Sequence, residues 1–269
     1  MRFVPVLTIA GSDCSGGAGI QADLKAFTAL GTYGMSVLTA LTAQNTTAVR
    51  DILVVPSDFV RLQLEMVFAD IRPKAVKTGM LAEEGIIRVV HTFLVKEAPD
   101  MPWVVDPVMV AASGARLLSE GAEAALQTFC AEAYVVTPNL HEAALLAKES
   151  VPTSDKAFFL LGERLSRKYP RPYWLLKGGH ASWEPSTVTT LFFKEGQLIQ
   201  RFTQSRLRLE RPPHGTGCTL ASALAARLAQ GENPVSAALT ALDFVHRALS
   251  KTDLSLGKAA IVLNPHAAG

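Results

Sequence analysis

Short apolar runs alternate with stretches of helical periodicity from one end of this 269-residue chain to the other. The runs Val4–Ala10, Ser36–Ala43, Ala75–Thr78, Trp103–Asp106, Tyr134–Thr137 and Tyr173–Lys177 predict strands. Between them, helices are predicted near 17–30, 57–70, 83–96, 119–130, 139–148 and 154–168. The strands are continuous apolar runs rather than alternations, the pattern of a parallel sheet covered on both faces. Repeated β-α units imply right-handed crossovers and an α/β fold, a three-layer αβα sandwich around a mostly parallel central sheet. The rhythm breaks over 186–210, where Val188–Phe193 and Leu198–Phe202 predict an antiparallel edge hairpin around Gly196. Two helices, near 216–230 and 234–250, follow, parted at Gly231 and Pro234. No repeat, low-complexity tract or linker interrupts this order, so residues 1–269 are expected to form one domain.

Composition narrows the partners. Hydrophobic residues make up 49% of the chain and the formal net charge is +2, so a large core forms and no nucleic-acid face is indicated. Small metabolites suit that balance better than polyanions. Cys14, Cys130 and Cys218 lack metal-ligand spacing and leave one thiol over in any pairing, which points to a reducing, cytoplasmic setting. Met1-Arg2 before Val4–Ala10 faintly imitates a signal peptide, but the run is short and leads into a Gly-rich turn. No uncharged apolar stretch of about 18 residues exists to span a bilayer.

Ligands in such sheets bind beyond the carboxyl ends of the strands. Six predicted strand ends run into Gly11–Gly19, Gln44-Asn45, Lys77–Met80, Asp106-Pro107, Thr137–Asn139 with Glu142, and Lys177–His180. They argue for one shared crevice. The tetrad Gly215-Thr216-Gly217-Cys218 stands before a long apolar helix. Its glycines can turn amide hydrogens inward, and the helix start adds roughly +0.5 of a charge, a combination suited to phosphate. The competing possibility is a turn capped by Thr216 or by water.

Asp23 falls in the apolar stripe of the first helix, between Leu30 and Phe27, where a carboxylate needs a partner. It is expected to hold a polar ligand, with backbone bonding as the alternative. Gln44 offers a donor and an acceptor suited to a heterocycle edge. Asn139 and Glu142 can form a capping box, or Glu142 and Asp106 can reach Mg²⁺ through its waters. Lys177, leaving a buried strand before two glycines, can neutralise phosphate oxygens. His141 and His180 are expected as polar lining. Cys218, at a helix start, is expected to ionise more readily than a free thiol and to accept a proton from an attacking hydroxyl. Cys14 and Cys130 are expected to be packing residues. Gly17–Ala22 formally matches a dinucleotide fingerprint, but 37–42 offers no acid for a ribose, so this loop fits close approach to a small ligand.

Several blocks together resemble the hydroxymethylpyrimidine/phosphomethylpyrimidine kinases, ribokinase-like enzymes of thiamine pyrophosphate synthesis. They are AGSDCSGGAGIQADLKAFTALGTYG (10–34), TAQNTTAV (42–49), AVKTGML (75–81), VVDPVMVAASGARLL (104–118), TPNLHEA (137–143), LLKGGH (175–180) and HGTGCT (214–219). The resemblance implies ATP- and Mg²⁺-dependent phosphorylation of 4-amino-5-hydroxymethyl-2-methylpyrimidine and then of its monophosphate. It implies a pyrimidine pocket of Gly11, Asp23, Gln44, Met80 and Val108. Gly215, Thr216, Gly217 and Cys218 would form the anion hole, with Cys218 where ribokinases place an aspartate base. Lys177, Asp106, Asn139 and Glu142 would serve nucleotide phosphates and Mg²⁺, with Asp106 and Glu142 on the metal. A homodimer is also implied. Cys14 stands where the family usually has serine, Ala48 replaces a common glycine, and 184–187 and 208–213 depart from the family's nucleotide-side pattern. Two rivals follow: a pyridoxal kinase, and a non-catalytic pyrimidine sensor.

Overall fold

The computed structural model describes residues 3–110, 114, 117–252 and 255–268. Residues 111–113 and 115–116 of the 104–118 block, and the Met1-Arg2 start, lie outside them. The first half runs β1 (Val4–Asp13), α1 (Gly19–Ala29), β2 (Thr32–Gln44), β3 (Val49–Val54), α2 (Ser57–Asp70), β4 (Ala75–Thr78), α3 (Glu84–Glu97) and β5 (Trp103–Val105). Then come α4 (Glu123–Glu132), β6 (Val135–Val136), α5 (Leu140–Ala147), α6 (Asp155–Lys168), β7 (Tyr173–Lys177), β8 (Thr187–Lys194) and β9 (Gln197–Ser205). The last part holds β10 (Pro213–His214), α7 (Thr216–Ala229), α8 (Pro234–Ser250) and β11 (Ile261–Val262).

Nine strands form one sheet in the order β3-β2-β1-β4-β5-β6-β7-β8-β9. Pairing is parallel from β2 to β7 and antiparallel at both edges, where β3 joins β2 and the β8–β9 hairpin joins β7. The predicted sandwich and hairpin are both present. Three details differ from the sequence expectation. β1 continues to Asp13, through a register shift between Ala10 and Ser12. β2 starts four residues early, at Thr32, and pairs with the unexpected edge strand β3. Arg50 and Asp51 interrupt the apolar pattern of β3, and both are exposed.

Alternation along the strands assigns side chains to two cores. Leu7, Val76, Val105, Val136, Leu176 and Phe193 face α2 to α6. Val6, Ala75, Val104, Val135, Leu175 and Phe192 face α1, α7 and α8. Counting two residues on from the five of these that lie on parallel strands gives Thr8, Lys77, Asp106, Thr137 and Lys177. Polar groups at the carboxyl ends of five neighbouring strands therefore project toward the small-residue helix α7. Its buried face is made of Ala221, Ser222, Ala223, Ala225 and Ala226, which lets the helix lie close on the sheet.

Candidate active site

The starts of α1 and α7 meet above these strand ends. Gly215 precedes α7 at φ 82°, and a Cβ there would stand 1.8 Å from the Gly17 carbonyl oxygen. Only glycine permits that backbone at this distance. From the other side, the Gly19 backbone, where α1 begins, bonds the Cys218 thiol. Neither helix has a side-chain cap or an acid in its first turn. Thr216 therefore does not close the turn. The opening amides of α7 lack intrahelical acceptors, and two positive helix ends share one point.

Beside this cradle lies the Lys177–Asp106 pair, with Nζ 2.9 Å from Oδ1. The Thr137 hydroxyl donates to the same oxygen at 3.1 Å. A Cβ on Gly217 would lie 3.3 Å from both Asp106 Oδ2 and Lys177 Nζ, so α7 begins directly over the pair. Burial opposes the charge of Lys177, but Asp106 and Glu142 outweigh it and hold the ammonium above the usual lysine range. Asn139 and Glu142 do form the capping box: Asn139 accepts from the His141 and Glu142 amides, and Glu142 Oε2 accepts from the Asn139 amide at 2.8 Å. Glu142 is nonetheless placed for charge as well. Burial pushes its carboxyl up to about 7, Lys177 opposes this, and Asp106 adds to it. Burial, with His141, Lys177 and Arg206 nearby, lowers the His180 pKa.

Among the described residues no group of three or more His, Cys, Asp or Glu forms a ready-made metal centre. Asp106 and Glu142 face a single ammonium, so their combined charge exceeds its own. That imbalance fits a hydrated divalent cation carried by a nucleotide.

Gly11, Met80 and Val108 come together at the carboxyl ends of β1, β4 and β5. A Cβ on Gly11 would lie 3.1 Å from Met80 Sδ, and Val108 packs on the small cluster of Ala40, Met80 and Ala82. Gln44 is half-buried at the end of β2, with its amide 3.4 Å from both the Thr42 hydroxyl and His214 Nε2. Sequence reasoning missed His214 and its partner Asp13, which lie 2.8 Å apart. Asp13 also accepts from the Ser15 and Ala18 amides and the Ser15 hydroxyl. Burial would raise its pKa, but the His214 and Ser15 bonds hold it below the ordinary carboxylate value. One ring nitrogen cannot both donate to Asp13 and accept from Gln44. The shorter Asp13 contact takes the proton, and the Gln44 amide nitrogen stays uncommitted. The signal was the placement of His214 directly before the tetrad. A cleft of about 410 Å³ between Ser15, Thr46, Lys258 and Val262 borders the same loop.

Three expectations are corrected here. Asp23, expected to face a ligand, is fully buried and bonded by protein groups: Thr8 Oγ1 at 2.6 Å, Ser222 Oγ at 2.7 Å, and Lys77 Nζ at 2.9 and 2.8 Å. Lys77, expected in the crevice, is sealed with it at 0% exposure. Cys218, expected to ionise easily, has its pKa pushed up to about 11. Burial is the largest cause, and Asp23 and Asp106 add to it. Lys77 and the Gly19 backbone oppose it without overcoming it.

Residues 13–264 match the family described as phosphomethylpyrimidine kinase. The hydroxymethylpyrimidine/phosphomethylpyrimidine kinase of Rhizobium meliloti is 43% identical over 254 residues, covering 94% of this chain and 93% of the relative. That of Escherichia coli is 42% identical with the same coverage. The chain belongs to the phosphomethylpyrimidine kinase family. It is a phosphotransferase of thiamine biosynthesis, and the sensor alternative falls away. Among solved structures, a phosphomethylpyrimidine kinase from Clostridium difficile superimposes with a TM-score of 0.78 at 37% identity, over 91% of this chain and 99% of that one. The pyridoxal kinase of Staphylococcus aureus with bound pyridoxal gives 0.88 at 32% identity, over 99% and 95%. The same enzyme is known with ADP and with AMP-PCP, at TM-scores of 0.88 for both.

Proposed function

We propose that this single-domain kinase transfers the γ-phosphoryl of Mg²⁺·ATP to the hydroxymethyl group of 4-amino-5-hydroxymethyl-2-methylpyrimidine, and then phosphorylates the resulting monophosphate. The observation that carries the proposal is the pair of uncapped helix starts meeting between Lys177–Asp106 and the Gly11–Met80–Val108 pocket. In this arrangement Gly11, Met80 and Val108 hold the ring, and the uncommitted Gln44 amide reads its polar edge. Asp23 acts behind the pocket and not on the ring. The amides of Thr216, Gly217 and Cys218 receive the migrating phosphoryl oxygens, and Lys177 neutralises charge on the nucleotide side. Asn139 fixes Glu142 through the capping box. Asp106 and Glu142 would hold Mg²⁺, which would supply charge neutralisation to the nucleotide phosphates.

Phosphoryl transfer passes through a loose transition state, so placement and charge outweigh base strength. A Cys218 thiol held up near pH 11 is protonated at rest, so its main work is to orient the attacking hydroxyl beside the α7 amides. Coupled ADP release should follow separate additions of hydroxymethylpyrimidine and its monophosphate. Turnover with pyridoxal alone would overturn the assignment in favour of the pyridoxal kinase reading, which the Staphylococcus aureus neighbour supports.

The chain acts as a cytoplasmic homodimer in this proposal. The free thiols support that compartment, and among the described residues no helix is long and apolar enough to cross a membrane. Leu41 and Leu53 face each other across β2 and β3 and stand exposed, as do Phe59, Leu62 and Met66 along one side of α2. Light scattering should give twice the chain mass, and Met66→Glu should halve it.

A further inference from the structure

Lys77, Asp23, Thr8 and Ser222 come from β4, α1, β1 and α7, the four elements whose ends build the phosphate cradle and the acceptor pocket. Both oxygens of Asp23 are engaged: Oδ1 accepts from Ser222 and Lys77, Oδ2 from Thr8 and Lys77. Ser222 lies one helical turn beyond Cys218, so the two side chains share a face of α7. A Cβ on Gly79 would lie 2.8 Å from Lys77 Nζ, which puts the ammonium under the turn that leads to Met80. Such a quartet is costly to bury. A sealed ion pair is often no more stabilising than apolar residues of the same shape, so stability alone does not account for it.

We infer that the Lys77–Asp23 pair, clamped by Thr8 and Ser222, is a positioning device that fixes the start of α7 against the start of α1 and sets an ammonium beside Cys218. The charged groups facing Cys218 are Lys77, Lys177, Asp23 and Asp106, and the two lysines favour its thiolate. Lys77 and Asp23 touch no reactant; they act through the helix starts and the thiol. The inference deepens the kinase assignment and rests on it for its effect on turnover, but not for its effect on Cys218.

The test compares Lys77→Met with Lys77→Met/Asp23→Asn, since the neutral double variant folds even where the single one does not. In both, kcat for hydroxymethylpyrimidine should fall about 10²-fold with KM within threefold, the signature of cradle geometry lost while the pocket persists. Alkylation of Cys218 by iodoacetamide at fixed pH, in a Cys14→Ser background, should slow several-fold in Lys77→Met and less in the double variant, which also loses the opposing charge of Asp23. A folded double variant with unchanged kcat overturns the inference, and so does a folded Lys77→Met with an unchanged alkylation rate. So does a fall in kcat matched by an equal rise in KM with alkylation unmoved, which is the mark of general loosening. Slower alkylation in an enzyme whose parent releases no ADP would refute the kinase assignment and leave the placement of Lys77 standing.

Discussion

Two lysine–aspartate pairs lie under the first turns of α7, and they differ chiefly in access. Lys77–Asp23 is fully sealed, at 0% exposure on both sides. Lys177–Asp106 is open on one side, with Lys177 at 16% and Asp106 at 3%. The sealed carboxylate has both oxygens engaged by Thr8, Ser222 and Lys77. The open pair has a second acid, Glu142, left over. An ion pair satisfied from within organises the protein, whereas a pair with surplus charge facing a crevice can take a ligand. Residue type is identical in the two cases, and the number of protein partners decides the role.

The sharpest way to break this contrast is to remove each lysine in turn. Lys77→Met leaves Asp23 buried without its cation and should cost about 3–5 kcal/mol in urea unfolding. Lys177→Met, beside solvent, should cost less than half as much. Equal losses would erase the distinction. Catalysis at saturating pyrimidine should not follow that order: Lys177→Met is expected to lower kcat on the order of 10²–10³-fold, at least as much as Lys77→Met, as for loss of a donor to a developing charge.

Glu142 sharpens the comparison through pH. Its folded pKa is raised from 4.5 to about 7, so the stability that its proton confers is complete below about 4.5 and lost as pH rises through about 7. Glu142→Gln retains an acceptor for the Asn139 amide and removes that loss. It should gain on the order of 1–3 kcal/mol over the parent at pH 8, none at pH 4.5, and bind Mg²⁺·ATP more weakly. A parent with the same unfolding free energy at pH 5 and pH 8 would contradict the placement of this acid. The smallest effect should come from Cys218→Ala, with turnover lower by about tenfold and pyrimidine KM nearly constant. Unchanged turnover would remove Cys218 from the reaction without touching the cradle.

Much of the fold was legible because period and punctuation agreed. The predicted limits of β4, β7, α2 and the hairpin around Gly196 match the structure closely, each bounded by a break in the apolar pattern. β3 was not legible, because an exposed edge strand carrying Arg50 and Asp51 lacks the apolar run of a buried one. At the site, the Gly-rich tetrad could be read from its place before a long apolar helix and the Asp106–Lys177 end of the sheet from strand ends, whereas the grouping of Gly11, Met80 and Val108 came from the family resemblance. The burial of Asp23 was legible from its position in an apolar stripe. Its partner was not, because Lys77 lies 54 residues away and only the β1–β4 pairing brings it alongside. The thiol of Cys218 misled for a related reason. Helix position favours a thiolate, while the depth of burial, which opposes it more strongly here, is a property of the assembled layers.

The contact of Gly215 on the Gly17 carbonyl has a consequence for how such enzymes diversify. With 1.8 Å between that oxygen and any would-be Cβ, the phosphate seat tolerates no new side chain, and the Gly17 side of the seam, against His214, is just as closed. On the proposed function, new acceptor preferences would therefore arise around Met80, Val108 and Gln44. A pyrimidine kinase and a pyridoxal kinase can then share nearly one backbone and part company only at the rim.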